Sequence, residues 1–126
     1  SGPGYKEFPT HKISLESAPA PQTVRLNDVV LAHSSNALIL NETNHGPVMY
    51  FPQKDVDFSL LTKSDQTTYC PFKGDASYWD FGGVENIAWS YPSPFDEVME
   101  IKNYMALDLS MEEVAMKDLH NMGRNP

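Results

Sequence analysis

The sequence predicts a single, mainly β domain built from antiparallel hairpins. Its 126 residues are enough to bury one hydrophobic core and too few for two of ordinary size. Hydrophobic residues make up 40% of the chain and charged residues 21%, which is a balance typical of chains that fold. From position 22 onward, short apolar segments alternate with turn-forming residues, and this pattern indicates consecutive β-strands.

Two hairpins are predicted in the first half of the domain. Segments 23–26 and 29–31 carry strand-forming residues on either side of Asn27-Asp28, a pair that favours a tight turn. Segments 37–40 and 48–51 follow the same plan, with turn-forming residues between them. The sequence therefore predicts four strands here.

The middle of the chain is predicted to continue as strands. Apolar and polar residues alternate over 56–60, which is typical of a strand with one buried face. Residues 63–65 are predicted to turn the chain, and 67–70 to extend it again. Two aromatic-rich strands, 77–81 and 86–91, are then expected around a glycine turn.

The C-terminal part is predicted to be helical. Ser93, Pro94 and Asp96 have the order of a helix start, and apolar residues then recur at helical spacing up to Met105. Ser110 with Glu113 repeats a capping pattern, which predicts a second short helix.

Three regions are expected along the chain. Residues 1–21 contain four prolines and little apolar periodicity, so they are predicted to form an irregular arm that lies across the domain. Residues 22–109 form the β domain, and residues 110–126 form a helical tail that could dock on a partner.

Charge and composition disfavour several classes of function. Acidic residues outnumber basic ones 17 to 9, and a net charge of −8 repels nucleic acid and anionic membranes. No apolar run is long enough to span a bilayer, and Ser1–Gly4 lacks a signal-peptide layout, so a cytoplasmic protein is expected. Cys70 is the single cysteine, and the four histidines are scattered. We therefore expect no disulfide, no metal and no cofactor.

Two segments carry a family resemblance. Thr67–Trp79, with the sequence TTYCPFKGDASYW, and Glu85–Pro92, with the sequence ENIAWSYP, resemble the two motifs of the domain of unknown function 427 family. The family usually has a histidine where this chain has Tyr69. The resemblance implies a β-tent-like fold, shared with methionine sulfoxide reductases of the B type and with the thalidomide-binding domain of cereblon.

Many β-tent relatives hold zinc, but this chain lacks the cysteines for it, so the implied tent is held by packing alone. The family also carries a nucleotidyltransferase label. The sequence contains neither a Gly-rich phosphate loop nor paired metal-binding carboxylates in support of that label.

Lys73 and Cys70 are the candidates for chemistry within the first motif. Lys73 lies in a tight turn beside Gly74, which is expected to adopt a positive φ. Its ammonium could bind an anionic group or act as a base, or it could pair with Asp75 at the surface. Cys70 could be a nucleophile activated by Lys73, or a small buried hydrophobic residue.

The aromatic strands supply candidates for a pocket. Strand alternation places Trp89 and Tyr91 on one face, and Tyr78 on the face opposite Trp79. Such rings could form a stacking or cation-holding cage, or they could belong to the core. Asn86 could bind the polar edge of a ligand or hold the turn backbone. Asp55 and Asp57 are expected on one solvent-facing strand face.

The sequence therefore predicts a module that binds a small molecule or a modified residue without a metal. Its predicted ligand-binding residues are Lys73, Asp75, Tyr78, Asn86, Trp89 and Tyr91. Two alternatives stay open: a transferase or hydrolase-like enzyme using Lys73 or Cys70, and an interaction module that acts through the C-terminal helix.

Overall fold

The computed structural model describes residues 1–108, and this part of the chain is mainly β, as predicted. A short helix α1 (Gly4–Glu7) precedes the strands, and three 3-10 helices lie at Gln53–Asp55, Phe58–Leu60 and Asp96–Ile101. Within residues 1–108, no helix has the length and apolarity needed to cross a bilayer. The strands are β1 (Ile13–Ser17), β2 (Gln22–Leu26), β3 (Val29–Ser34), β4 (Leu38–Glu42), β5 (Val48–Pro52), β6 (Thr62–Cys70), β7 (Gly74–Phe81), β8 (Val84–Ser90) and β9 (Tyr104–Leu107).

The strands form one large antiparallel sheet and one separate hairpin. The large sheet has seven strands in the order β1-β4-β5-β9-β8-β7-β6, and the hairpin consists of β2 and β3. The sheet does not close into a barrel, so β1 and β6 are its edges.

The large sheet buries side chains on both faces. Along β5, Phe51 contributes to one core cluster and Tyr50 to the other, because neighbouring side chains of a strand point to opposite faces. Met105 and Ala106 alternate in the same way on β9. We call the face of Phe51 the hairpin face, because β2 and β3 pack on it, and the face of Tyr50 and Tyr91 the tyrosine face.

The sheet curls strongly around the tyrosine face. Four strand spacings separate β4 from β7, which would be about 19 Å in a flat sheet. Nevertheless the side chain of Glu42, at the end of β4, reaches the side chain of Lys73, in the turn that precedes β7. Oε1 of Glu42 and Nζ of Lys73 are 2.6 Å apart. The tyrosine face is therefore concave, and the curl brings distant strands together.

Several local predictions are confirmed. Asn27 and Asp28 form the turn between β2 and β3 with φ values of 50° and 66°. The second hairpin pairs Leu38 with Tyr50. Gly74 has a φ of 119°, and a Cβ there would lie 3.1 Å from the carbonyl oxygen of Ser93.

The strand predicted at 56–60 is wrong. Only Val56 forms a bridge, to Ala32, and a 3-10 helix follows because the Asp57 side chain accepts a hydrogen bond from the Ser59 backbone N–H. Asp55 and Asp57 therefore do not share a strand face. Asp55 instead accepts a hydrogen bond of 2.6 Å from the Ser34 hydroxyl.

The turn predicted at 63–65 is also wrong, because these residues lie within β6. The pairing of β6 with β7 shifts register between Lys63 and Thr67, so the irregularity is accommodated inside a nine-residue strand. A β-bulge of this kind absorbs extra residues without ending the strand.

The predicted helix from Ser93 to Met105 is replaced by a short 3-10 helix and a strand. Phe95 precedes the 3-10 helix without a side-chain cap, and Val98 within it has non-helical angles. Met105 lies on β9 and pairs with Phe51. Burial in the middle of the sheet outweighs helical spacing here. The helix predicted from Ser110 lies outside the described residues.

The N-terminal segment, expected to be irregular over residues 1–21, contains α1 and β1. Strand β1 pairs with β4, and the Gly4 N–H donates to the Pro71 carbonyl at 2.9 Å. The approach is close, since a Cβ on Gly2 would lie 2.6 Å from the same carbonyl oxygen. The arm therefore docks beside the first family motif.

Candidate functional site

Three polar side chains are linked by hydrogen bonds on the concave face. The Lys73 ammonium donates to Oε1 of Glu42 at 2.6 Å, and Nε2 of His11 lies 2.8 Å from Oε2 of the same carboxylate. The three side chains are only 7 to 11% exposed. We call this arrangement the Lys73–Glu42–His11 chain.

The tight turn between β6 and β7 positions Lys73. Its backbone N–H donates to the Cys70 carbonyl, and its carbonyl accepts from the Phe95 N–H at 3.0 Å. The positive φ of Gly74 lets the following strand start against the backbone of Ser93. The turn is thus clamped on both sides, and this directs the lysine towards β4 rather than into solvent.

The carboxylate of Glu42 is held in its charged form. Burial alone would raise the pKa of Glu42, but the hydrogen bonds from Lys73 and His11 outweigh burial and lower the pKa below its usual value. The positive charge of Lys73 acts in the same direction. A largely buried carboxylate is expected to have such partners, because few of its oxygen lone pairs can reach water.

The aromatic ring of Phe72 fixes the orientation of His11. The two rings stack with their centroids 3.7 Å apart and an angle of 14° between their planes. The ring of Tyr5, which lies on α1, is nearly perpendicular to the same phenylalanine ring, with the two centroids 5.1 Å apart. The docked arm therefore supplies one side of the site and the family motif the other.

A pocket of about 260 Å³ opens beside His11, and we call it the His11 pocket. Its walls combine aromatic rings with hydroxyl, amide and imidazole groups, a mixture typical of small-ligand sites. The lining residues are Phe8, Thr10, His11, Thr43, Asn44, His45 and Phe72.

Two buried tyrosines lie behind Lys73 on the concave face. The Lys73 ammonium is 6.0 Å from the centre of the Tyr91 ring, within the range of a cation–π contact. Burial raises the pKa of Tyr91 and of Tyr50 well above the usual tyrosine value. Both phenols are therefore neutral, so the surface beneath the Lys73–Glu42–His11 chain carries no charge from these tyrosines.

The structure brings together part of the residue set predicted to bind a ligand. Tyr78, Trp89 and Tyr91 share the tyrosine face with Lys73, and the Tyr78 and Trp89 rings are 6.4 Å apart. Trp79 packs on the hairpin face, as strand alternation predicts. Direct binding by these residues stays a prediction.

Asp75 and Asn86 occupy other places. Asp75 is exposed and pairs with Tyr69 across β6 and β7, and the Lys73 ammonium pairs with Glu42 rather than with Asp75, which was one of the alternatives. Asn86 has a φ of 56°, and its N–H donates to the Asp80 carboxylate, which holds the hairpin backbone.

Cys70 is half-buried on the tyrosine face. The nearby Lys73 ammonium is already paired with a carboxylate, so it is not a free cation for activating a thiolate. Enzymatic use of Cys70 or Lys73 stays a prediction.

Sequence reasoning missed Glu42 and His11. Each is 31 residues from its partner in the chain, so no local spacing marks either contact. His11 belongs to the segment predicted to be irregular, and Glu42 belongs to the turn predicted between segments 37–40 and 48–51. Phe72 was inside the recognised motif, and its stacking role could have been suspected there.

Comparison with known sequences places the chain in a family. The sequence profile described as Domain of unknown function (DUF427) matches residues 14–118, a span that contains Glu42 and Lys73 and begins three residues after His11. No curated protein matches the chain. The profile covers most of the sequence and confirms the resemblance of the two motifs, and the chain therefore belongs to the DUF427 family.

Proposed function

We propose that this protein is a small-molecule binding module whose ligand occupies the His11 pocket. The observation that carries the proposal is the Lys73–Glu42–His11 chain, which supports one wall of that pocket. A buried ion pair contributes little net stability compared with apolar packing. An imidazole held rigidly at a pocket wall by such a pair is well suited to recognising a ligand.

The shape and lining of the His11 pocket favour a small, flat ligand with a polar edge. The Phe8 ring is 55% exposed and lies near Phe72, so a planar molecule can stack against it without displacing the core. Thr43, Asn44 and His45 offer hydrogen-bonding groups at the rim. At about 260 Å³, the pocket suits a single ring system better than a larger ligand.

A thermal-shift screen with matched variants tests the proposal. Nucleobases, nucleotides, sugar phosphates and aromatic amines are added to the wild type and to the pocket variants Phe8→Ala and His45→Ala. The controls, Phe58→Ala and His33→Ala, remove an exposed phenylalanine and an exposed histidine outside the pocket.

We expect one ligand class to raise the melting temperature of the wild type and of both controls, and of neither pocket variant. A ligand at a hundred times its Kd stabilises the folded state by about 2.7 kcal/mol, which is easily detected. The proposal is wrong if no class stabilises the wild type, or if the pocket variants respond as the controls do.

A further inference from the structure

The hydrogen bond between His11 and Glu42 determines which nitrogen of the imidazole carries the proton. The Glu42 carboxylate is ionised and already accepts from Lys73, so it has no proton to give to His11. The contact of 2.8 Å must therefore be donated by Nε2 of His11. In the neutral imidazole, Nδ1 is then an unprotonated acceptor.

Within residues 1–108, Nδ1 of His11 has no protein hydrogen-bond partner, and the side chain is 11% exposed. Within residues 1–108, the only fully buried side-chain polar atom without a hydrogen-bond partner is Oδ1 of Asn86. Nδ1 of His11 also lacks a partner among these residues. Since it is not one of the fully buried atoms, it keeps some contact with water. The stack on Phe72 and the bond to Glu42 prevent the ring from turning to exchange the two nitrogens.

From this geometry we infer that the ligand of the His11 pocket donates an N–H or O–H hydrogen bond to Nδ1 of His11. The inference rests on the proposed function and specifies the ligand class: a flat ring that carries a hydrogen-bond donor on its edge. The other ionisable groups around His11 are Glu42, Lys73, Tyr5 and His45, and none of them hydrogen-bonds to Nδ1.

The first measurement is the nitrogen NMR spectrum of the imidazoles in protein labelled with ¹⁵N-histidine, at about pH 8, where histidines in general are neutral. His11 is assigned by comparison with the His11→Gln variant. We expect a protonated Nε2 and an unprotonated Nδ1. A proton on Nδ1 would overturn the inference, whatever the pocket binds.

The second measurement compares pairs of probes that differ only in whether their ring N–H donors are blocked by methyl groups. Benzimidazole, indole and uracil are titrated against 1-methylbenzimidazole, 1-methylindole and 1,3-dimethyluracil, and binding to the pocket is followed by NMR shifts. We expect the unmethylated member of at least one pair to bind roughly five to ten times more tightly, the loss expected for one neutral hydrogen bond.

The variant His11→Gln separates the role of Nδ1 from that of Nε2. A glutamine amide can still donate to Glu42 from the place of Nε2, so the link to Glu42 is retained, but it has no acceptor at the place of Nδ1. The preference for unmethylated probes should vanish in His11→Gln and persist in the control His33→Gln, whose imidazole bonds to Thr23 on the β2–β3 hairpin.

The possible results distinguish the two proposals. If both members of every pair bind equally in the pocket, the donor inference is wrong and the binding module stands. If a donor preference is present but survives in His11→Gln, a different acceptor is responsible and the inference is again wrong. If no probe binds, both the donor inference and the His11 pocket proposal fail.

Discussion

Replacing Glu42 with glutamine should destabilise the protein strongly. The Glu42 side chain is only 7% exposed and the Lys73 side chain 11%, so the variant leaves a sheltered ammonium without its counter-charge. Removing one partner of a buried ion pair typically costs about 3 to 5 kcal/mol. We expect about 3 kcal/mol, because the oxygen of the new amide can still accept one hydrogen bond from Lys73.

Urea unfolding followed by tryptophan fluorescence measures this change. The free energy of unfolding should fall by about 3 kcal/mol with an unchanged dependence on urea concentration, because the same surface is exposed on unfolding. The melting temperature should fall by about 10 to 15 °C for a domain of this size. Glu16→Gln is the matched control, because this exposed glutamate on β1 accepts a hydrogen bond from the Asn41 side chain and has no salt bridge among residues 1–108.

A double substitution tests the electrostatic explanation further. Glu42→Leu combined with Lys73→Met removes both charges, so it should recover part of the stability lost in the single variants, the rest being lost because Nε2–H of His11 has no acceptor. If Glu42→Gln costs no more than Glu16→Gln, the Lys73–Glu42 pair behaves as a surface ion pair, and the reasoning from burial is refuted.

Two further predictions concern acid and the tight turn. Folding lowers the pKa of Glu42, so the ionised carboxylate stabilises the folded state. This stabilisation is fully present above the ordinary glutamate pKa of 4.5 and is lost as pH falls through the lower pKa of the folded state. The urea midpoint of the wild type should therefore fall more steeply below pH 4.5 than that of Glu42→Gln, and equal slopes would contradict this. Gly74→Ala should lose about 1 to 3 kcal/mol, because its φ of 119° and the nearby Ser93 oxygen both oppose a Cβ. Gly83 has open space around it, so Gly83→Ala should change the free energy of unfolding by no more than about 0.5 kcal/mol in the same assay. A similar loss in both variants would refute the role of the Gly74 turn.

Local chemistry made much of the fold predictable. Asn27 and Asp28 tolerate positive φ, so the first hairpin turn could be located from two residues. Alternation along a strand correctly separated Tyr78 from Trp79. The prediction of a helix up to Met105 was wrong. A short 3-10 helix followed by a buried strand can have the same apolar spacing as one continuous helix, so spacing alone does not distinguish them.

The sequence by itself determined the mainly β class, most of the hairpins and the membership of the DUF427 family, because these depend on neighbouring residues and on a continuous motif. It also singled out Lys73, but not the partner of Lys73. Only the tertiary structure decided that Glu42 joins Lys73 to His11, each contact spanning 31 residues. The physical reason is the curl of the seven-stranded sheet, which brings the end of β4 to the β6–β7 turn and leaves the His11 pocket beside them.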